Sequence, residues 1–225
     1  MTAILAFDCA VSGLAVAVLR DGSRLAGLAR GGRDQAAQLL PAIETVLAEA
    51  GMGRRELELV AVTIGPGSFT GVRVGLAAAR GLAVGLGVPL AGISTTSVLL
   101  AQAPACGRQV VAAIDSRLGD WFCALDESQP AAFVTTAPEL ASRLAGRACR
   151  VIGTGAGALA DQLIAAGLDA IGEEAVPDAV ALARLANRDG VEAWRARNRA
   201  EGLPRPLYLR GVNITLPGGA RRTVD

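Results

Sequence analysis

One short pattern occurs twice in this chain, in the same order each time. ILAFD-CAVSG-LAVAV, from Ile4, reads as apolar strand, aspartate, turn with glycine, apolar strand. VVAAID-SRLGD-WFCAL, from Val110, reads the same way and sets Asp115 opposite Asp8. A second match follows in each copy, TIGPG at 63–67 and VIGTG at 151–155. A strand–turn–strand unit with its helices buries one core, and two ordered copies point to a duplicated α/β architecture with mixed sheets. We therefore expect two lobes, 1–105 and 106–225, joined near 104–109.

The local signals fill in each copy. Residues 4–9, 14–20 and 23–30 read as strands, and Asp21-Gly22 is a two-residue hairpin signal. Residues 35–50 have helical period, with Ala36, Leu39, Leu40, Ile43, Val46, Leu47 and Ala50 on one face. Pro41 should kink that helix or mark an early turn. The unbroken apolar run 57–64 reads as a strand covered on both faces. A glycine-rich loop and a helix follow it, then a strand at 88–93 and a helix at 95–103. The second copy shows strands at 110–115, 121–126, 132–136 and 149–153, and helices at 138–145, 157–166 and 178–188. A tail rich in Pro, Gly and Arg is expected to be loosely attached.

Composition removes several chemistries. The chain has no histidine, and each of its 22 basic residues is arginine. It therefore has no imidazole base, no Ser–His pair, no Walker lysine and no Schiff-base amine. Its four cysteines form no CxxC pair and read as small buried hydrophobes. A net charge of +1 supplies no bulk attraction to nucleic acid or membrane. The N-terminus lacks a basic region before its apolar run, so no leader is expected. The longest apolar candidate, 72–90, carries Arg73 and Arg80 and falls short of the roughly 20 residues of a membrane span. A cytoplasmic protein is expected.

GPGSFTGVRVGLAAARGLAVGL, from Gly65, raises the question of a phosphate cradle at a helix N-terminus. It lacks the Walker lysine, and Thr70 stands where GxGxxG needs its last glycine. The expectation is a strand-to-helix turn with Ser68 or Thr70 as N-cap. Gly71, Gly75, Ala78, Leu82 and Gly85 form one seam of the helix, and Val72, Leu76, Ala79, Ala83 and Leu86 the next. A helix apolar nearly all round needs cover nearly all round. Each internal glycine costs up to about 1 kcal/mol against alanine, so close approach by something is implied. A protein interface shared with helix 35–50 is the expectation. Asp8 and Asp115 could hold Mg–phosphate between the lobes, but turn-capping is the expected role. From Arg184 onward nine arginines face four acids, read as a solvated surface rather than a tRNA phosphate contact.

GPGSFTGVRVGLAAARGLA, with ILAFDCAVSGLAVAVL and QLLPAIETVL before it and AAIDSRLGDWFCAL, VIGTGAGAL and PLYLR after it, resembles the bacterial TsaB (YeaZ) family. The resemblance implies an actin-like (ASKHA, ribonuclease H-like) two-lobed fold. It also implies a non-catalytic paralogue of TsaD, the subunit that places threonylcarbamoyl on N6 of adenosine 37 in tRNAs reading ANN codons. By that resemblance, the chain forms a heterodimer with a TsaD-like catalytic subunit through helices 35–50 and 70–86. The interface would involve Gln35, Leu39, Leu40, Ile43, Val72, Arg73, Gly75, Leu76 and Ala79. A TsaE-like ATPase would join, tRNA would be met through the complex, and a homodimer would form on the same helices without the partner. This chain alone would bind no cofactor; ATP would serve the complex, and the partner would carry the metal. Asp8, Asp115, Gly65 and Gly67 would stand nearest any nucleotide. The family often has His where this chain has Gln35. The alternative is an actin-like small-molecule kinase or ATPase acting alone. A peptidase is not expected, since Ser68 has no base to activate it.

Overall fold

The computed structural model describes residues 2–32, 34–126 and 130–210, together with the backbone of 212–215 and 221–224. In the first half, β1 (Ala3–Asp8), β2 (Leu14–Arg20) and β3 (Ser23–Arg30) form an antiparallel meander. Next come α1 (Gln35–Glu49), β4 (Leu59–Thr63), α2 (Phe69–Leu86), β5 (Leu90–Ile93) and α3 (Thr95–Gln102). The second half has β6 (Gln109–Asp115), β7 (Trp121–Leu125), β8 (Phe133–Thr135), α4 (Ala137–Leu144), β9 (Cys149–Thr154), α5 (Ala156–Ala165) and β10 (Ala170–Glu174). It closes with α6 (Ala179–Asp189), α7 (Val191–Glu201), and an antiparallel pair, β11 (Val212–Thr215) and β12 (Arg221–Val224).

The duplication is visible in the sheets. The first runs β3-β2-β1-β4-β5 and the second β10-β9-β6-β7-β8. In both, the leading strand pairs antiparallel with its hairpin partner and parallel with the strand beyond the crossover. The two-lobed mixed-sheet class expected from the repeat is the class found.

Side-chain alternation decides what covers each face. Leu5, Phe7, Val16, Val18, Val60 and Val62 face α1 and α2. Ile4, Ala6, Ala17, Leu19 and Ala61 face the other way, onto Leu182, Ala186 and Trp194 of α6 and α7. This revises the expected boundary, because 178–201 belong to the N-terminal lobe's core. Strands buried throughout need two covering layers, and α1 with α2 supply one. Between the sheets, α3 presents Val98 to the first and Leu99 to the second. The second sheet's far face is closed by α4 and α5.

The tail also departs from expectation as far as it is described. The Leu207 amide donates to the Ile64 carbonyl at 2.8 Å, and Arg80 donates to the Pro204 carbonyl through Nε at 3.1 Å and Nη2 at 2.5 Å. Residues 203–208 thus lie strapped across α2 and β4. The expectation for the tail beyond Arg210 falls mostly outside the described residues.

Candidate partner face and interlobe cleft

The loop that opens α2 is pressed onto the β1–β2 turn. A Cβ on Gly67 would sit 2.1 Å from the Ala10 carbonyl oxygen, and one on Gly71 1.9 Å from that of Cys9. Ser68 donates its amide to the Ala10 carbonyl at 2.5 Å, and its Oγ accepts the Gly71 amide at 3.2 Å, making it the N-cap. The amides of Ser68 and Gly71 are thus spent within the chain. The second copy does the same by another route. There the Glu174 carboxylate accepts the amides of Gly155 at 2.9 Å and Gly157 at 3.1 Å, at the start of α5. In each copy two of the loop's amides are engaged by the chain itself.

The paired aspartates share one local role and have different surroundings. Asp8 accepts the Ala10 amide and Asp115 the Arg117 amide, each two residues on, at 3.0 and 2.7 Å. Asp8 is buried and also accepts from Thr63 Oγ1 at 2.5 Å. Burial pushes its carboxyl up to about 6, against the opposing pull of those bonds. Asp115 is exposed and lines an interlobe cleft of about 680 Å³ with Gly67, Gln35, Ser68, Thr70 and Arg117. Asp8 and Gly65 do not line it. Gly65 packs under the Leu207 carbonyl, and its own carbonyl accepts the Thr95 amide. The four residues named for a nucleotide are therefore not gathered around one space. Among the described residues, no three metal-ligating side chains cluster.

The two helices divide the interface candidates. Leu39, Ile43, Val72, Gly75, Leu76 and Ala79 are core residues buried under the helices. This corrects their assignment to a partner surface. The seam through Val72, Leu76 and Ala79 is the stripe that meets the sheet, and Gly75 lets α2 approach Cys9 and Val62, each 3.5 Å from where a Cβ would be. Leu40 (55% exposed) and Arg73 do face out, and Gln35 is half-buried at the cleft.

The outward face of α2 consists of other residues. Ala77, Gly81, Val84 and Gly85 are exposed, Val84 at 71%, and a Cβ on Gly81 or Gly85 would meet nothing within 4 Å. By length and composition alone α2 could cross a bilayer, with a third of its span buried in the fold. At its N-terminal end the Arg73 guanidinium lies 3.4 Å above the Phe69 ring, and its Nε donates to Tyr208 Oη at 2.9 Å. Tyr208 lies in PLYLR, but one-dimensional spacing held no sign that this segment returns to α2. The cysteines are free; Cys9, Cys123 and Cys149 are buried, and burial pushes the first two thiols up to about 12.

Comparison with known proteins supplies the lineage. A family model described as TsaD: tRNA N6-adenosine threonylcarbamoyltransferase matches residues 30–142. The tRNA threonylcarbamoyladenosine biosynthesis protein TsaB of Escherichia coli K12 is 36% identical over 126 residues, 54% of this chain and 53% of that protein. Its Haemophilus influenzae counterpart is 36% identical over 121 residues, 53% of this chain and 51% of that one. The chain spans about half the length of these curated relatives. A solved Pseudomonas aeruginosa structure, described as similar to the peptidase YEAZ, superposes with a TM-score of 0.74. It is 28% identical and covers 93% of this chain and 100% of its own.

Proposed function

The chain belongs to the TsaD family, in its TsaB (YeaZ) branch, and from that membership we propose that it is a partner-binding subunit of tRNA threonylcarbamoyladenosine biosynthesis, without chemistry of its own. It pairs with a TsaD-like catalytic subunit through the outward faces of α1 and α2. The partner holds the metal, and the complex uses ATP. A TsaE-like ATPase joins the assembly, tRNA meets this chain through it in the cytoplasm, and without the partner a second copy covers the same faces.

One observation carries this reading. Gly81 and Gly85 point into open space on an exposed helix face flanked by Val84. Packing inside the lobe gives no reason for glycine there. A facing helix does, because small residues let two helix axes come close. The amides of Ser68, Gly71, Gly155 and Gly157, engaged by the chain's own groups, add support, since a lone kinase or ATPase would use such amides for phosphate. Ser68, engaged as a helix cap in a chain with neither His nor Lys, offers no peptidase nucleophile.

The test is size-exclusion chromatography with light scattering, using the full chain and the TsaD-like subunit of the same genome. Gly81→Arg should abolish co-elution while leaving the melting temperature of the isolated chain within a few degrees. A tRNA modification assay omitting each component should lose product without this chain and yield none from this chain alone. Persistent co-elution of Gly81→Arg, or turnover by the isolated chain, defeats the reading.

A further inference from the structure

A second cavity, of about 480 Å³, lies apart from the partner face, between strands β2–β3 and the segment 176–180 that leads into α6. Its size falls in the range of small-molecule sites. The strand register explains the space. Ala15 stands opposite Ala29 and Ala17 opposite Gly27, so four small residues share the face turned toward α6. Gly27 cannot carry a side chain without displacing its neighbours, because a Cβ would lie 3.2 Å from Arg24 Nε and 3.0 Å from the Val16 carbonyl oxygen.

The two ends of the cavity differ in charge. At the inner end is Asp8, 3% exposed and in register with Ala15. Both hydrogen bonds that Asp8 makes among the described residues land on Oδ1, from Thr63 and Ala10. Oδ2 has no hydrogen-bond partner among the described residues and so can accept one from a ligand in the cavity. At the outer end is Arg24, exposed, in no salt bridge among the described residues, and donating Nη2 to the Gly27 carbonyl at 2.8 Å; Arg30 also borders the cavity but stands opposite Leu14, on the other face of the sheet. Asp178 also borders the opening, with Oδ1 engaged by the Val180 amide at 3.0 Å. The row Asp8–Ala15–Ala29 crosses two strand spacings, about 10 Å.

We propose that this cavity binds a small zwitterion, with an amine for Asp8 Oδ2, a short apolar chain over the alanine floor, and a carboxylate for Arg24. A simple amine would leave Arg24 without a counter-ion at the opening, and a simple carboxylate would meet Asp8 at the inner end. Only a ligand with both charges, separated along its length, satisfies both ends. The proposal is independent of the subunit reading above.

Isothermal titration of the full chain with ε-aminocaproate tests it, with caproate and n-hexylamine as single-charge controls. The zwitterion should bind saturably, and each control at least about tenfold more weakly, as expected for loss of one charged hydrogen bond. Asp8→Asn keeps the oxygen that accepts from Thr63 and Ala10 and should weaken the zwitterion about tenfold, as should Arg24→Ala. Ala29→Leu, at an exposed position on the floor, should block binding by filling the space, and it serves if Asp8→Asn folds poorly. Absence of zwitterion binding, equal binding of the controls, or wild-type affinity in Ala29→Leu overturns the proposal.

Discussion

Asp8 is a carboxyl group held in the core by the chain around it. Its folded value of about 6 lies above the 3.8 of an ordinary aspartate, because burial penalises the charge more than Thr63 and Ala10 relieve it. The native state therefore binds the proton more tightly than the unfolded chain. The stabilisation that results is complete below about pH 4 and is lost as the pH rises through 6, a difference of about 3 kcal/mol. Asp8→Asn should remove this loss. In chemical denaturation the variant should gain on the wild type between pH 4 and pH 8, and an unchanging difference across that range would contradict the assignment. The shared turn-capping of Asp8 and Asp115 was legible in the sequence, because an aspartate bonding the amide two residues on is local chemistry. That one is buried and the other exposed was not legible, because Thr63 reaches Asp8 only through the pairing of β1 with β4.

Within α2, glycines of one helix answer to different neighbours. A Cβ at Gly71 would collide with the Cys9 carbonyl, whereas one at Gly81 meets nothing. Gly81→Ala should stabilise the isolated chain by about 0.5–1 kcal/mol through helix propensity. Gly71→Ala should destabilise it by more than that gain, since backbone must move. Urea titrations of the two variants check both signs, and equal effects would mean that the helix sits differently on the turn. Charged residues at Leu76 or Ala79 should unfold the chain rather than merely separate a complex, because both are core. The period of α2 was plain from the sequence, but which seam met the sheet was not. A helix apolar nearly all round gives periodicity nothing to choose between. Elements β10 and α7 escaped reading. β10 ends in Gly-Glu-Glu and is largely exposed, and α7 buries only Trp194, so neither shows an apolar period.

For the whole molecule, the decisive feature is that the chain returns. Because α6 and α7 cover the second face of the first sheet, a fragment ending at residue 105 should leave Ile4, Ala6, Ala17 and Leu19 bare and fail to form a cooperative fold. Thermal melts and dispersion of amide resonances would show this, and a fragment with a sharp two-state melt would refute it. The sequence by itself determined the duplication, the hairpins, the buried strands, an N-cap at Ser68 or Thr70 and the family, because each rests on residues adjacent in the chain or repeated in order. The tertiary structure alone decided which face of α2 is free, which elements complete each lobe, and that the chain's own groups engage amides in both glycine loops. Those outcomes depend on contacts between residues such as Gly155 and Glu174, or Arg80 and Pro204. Such partners come together only when the sheets assemble, and no local pattern records the pairing.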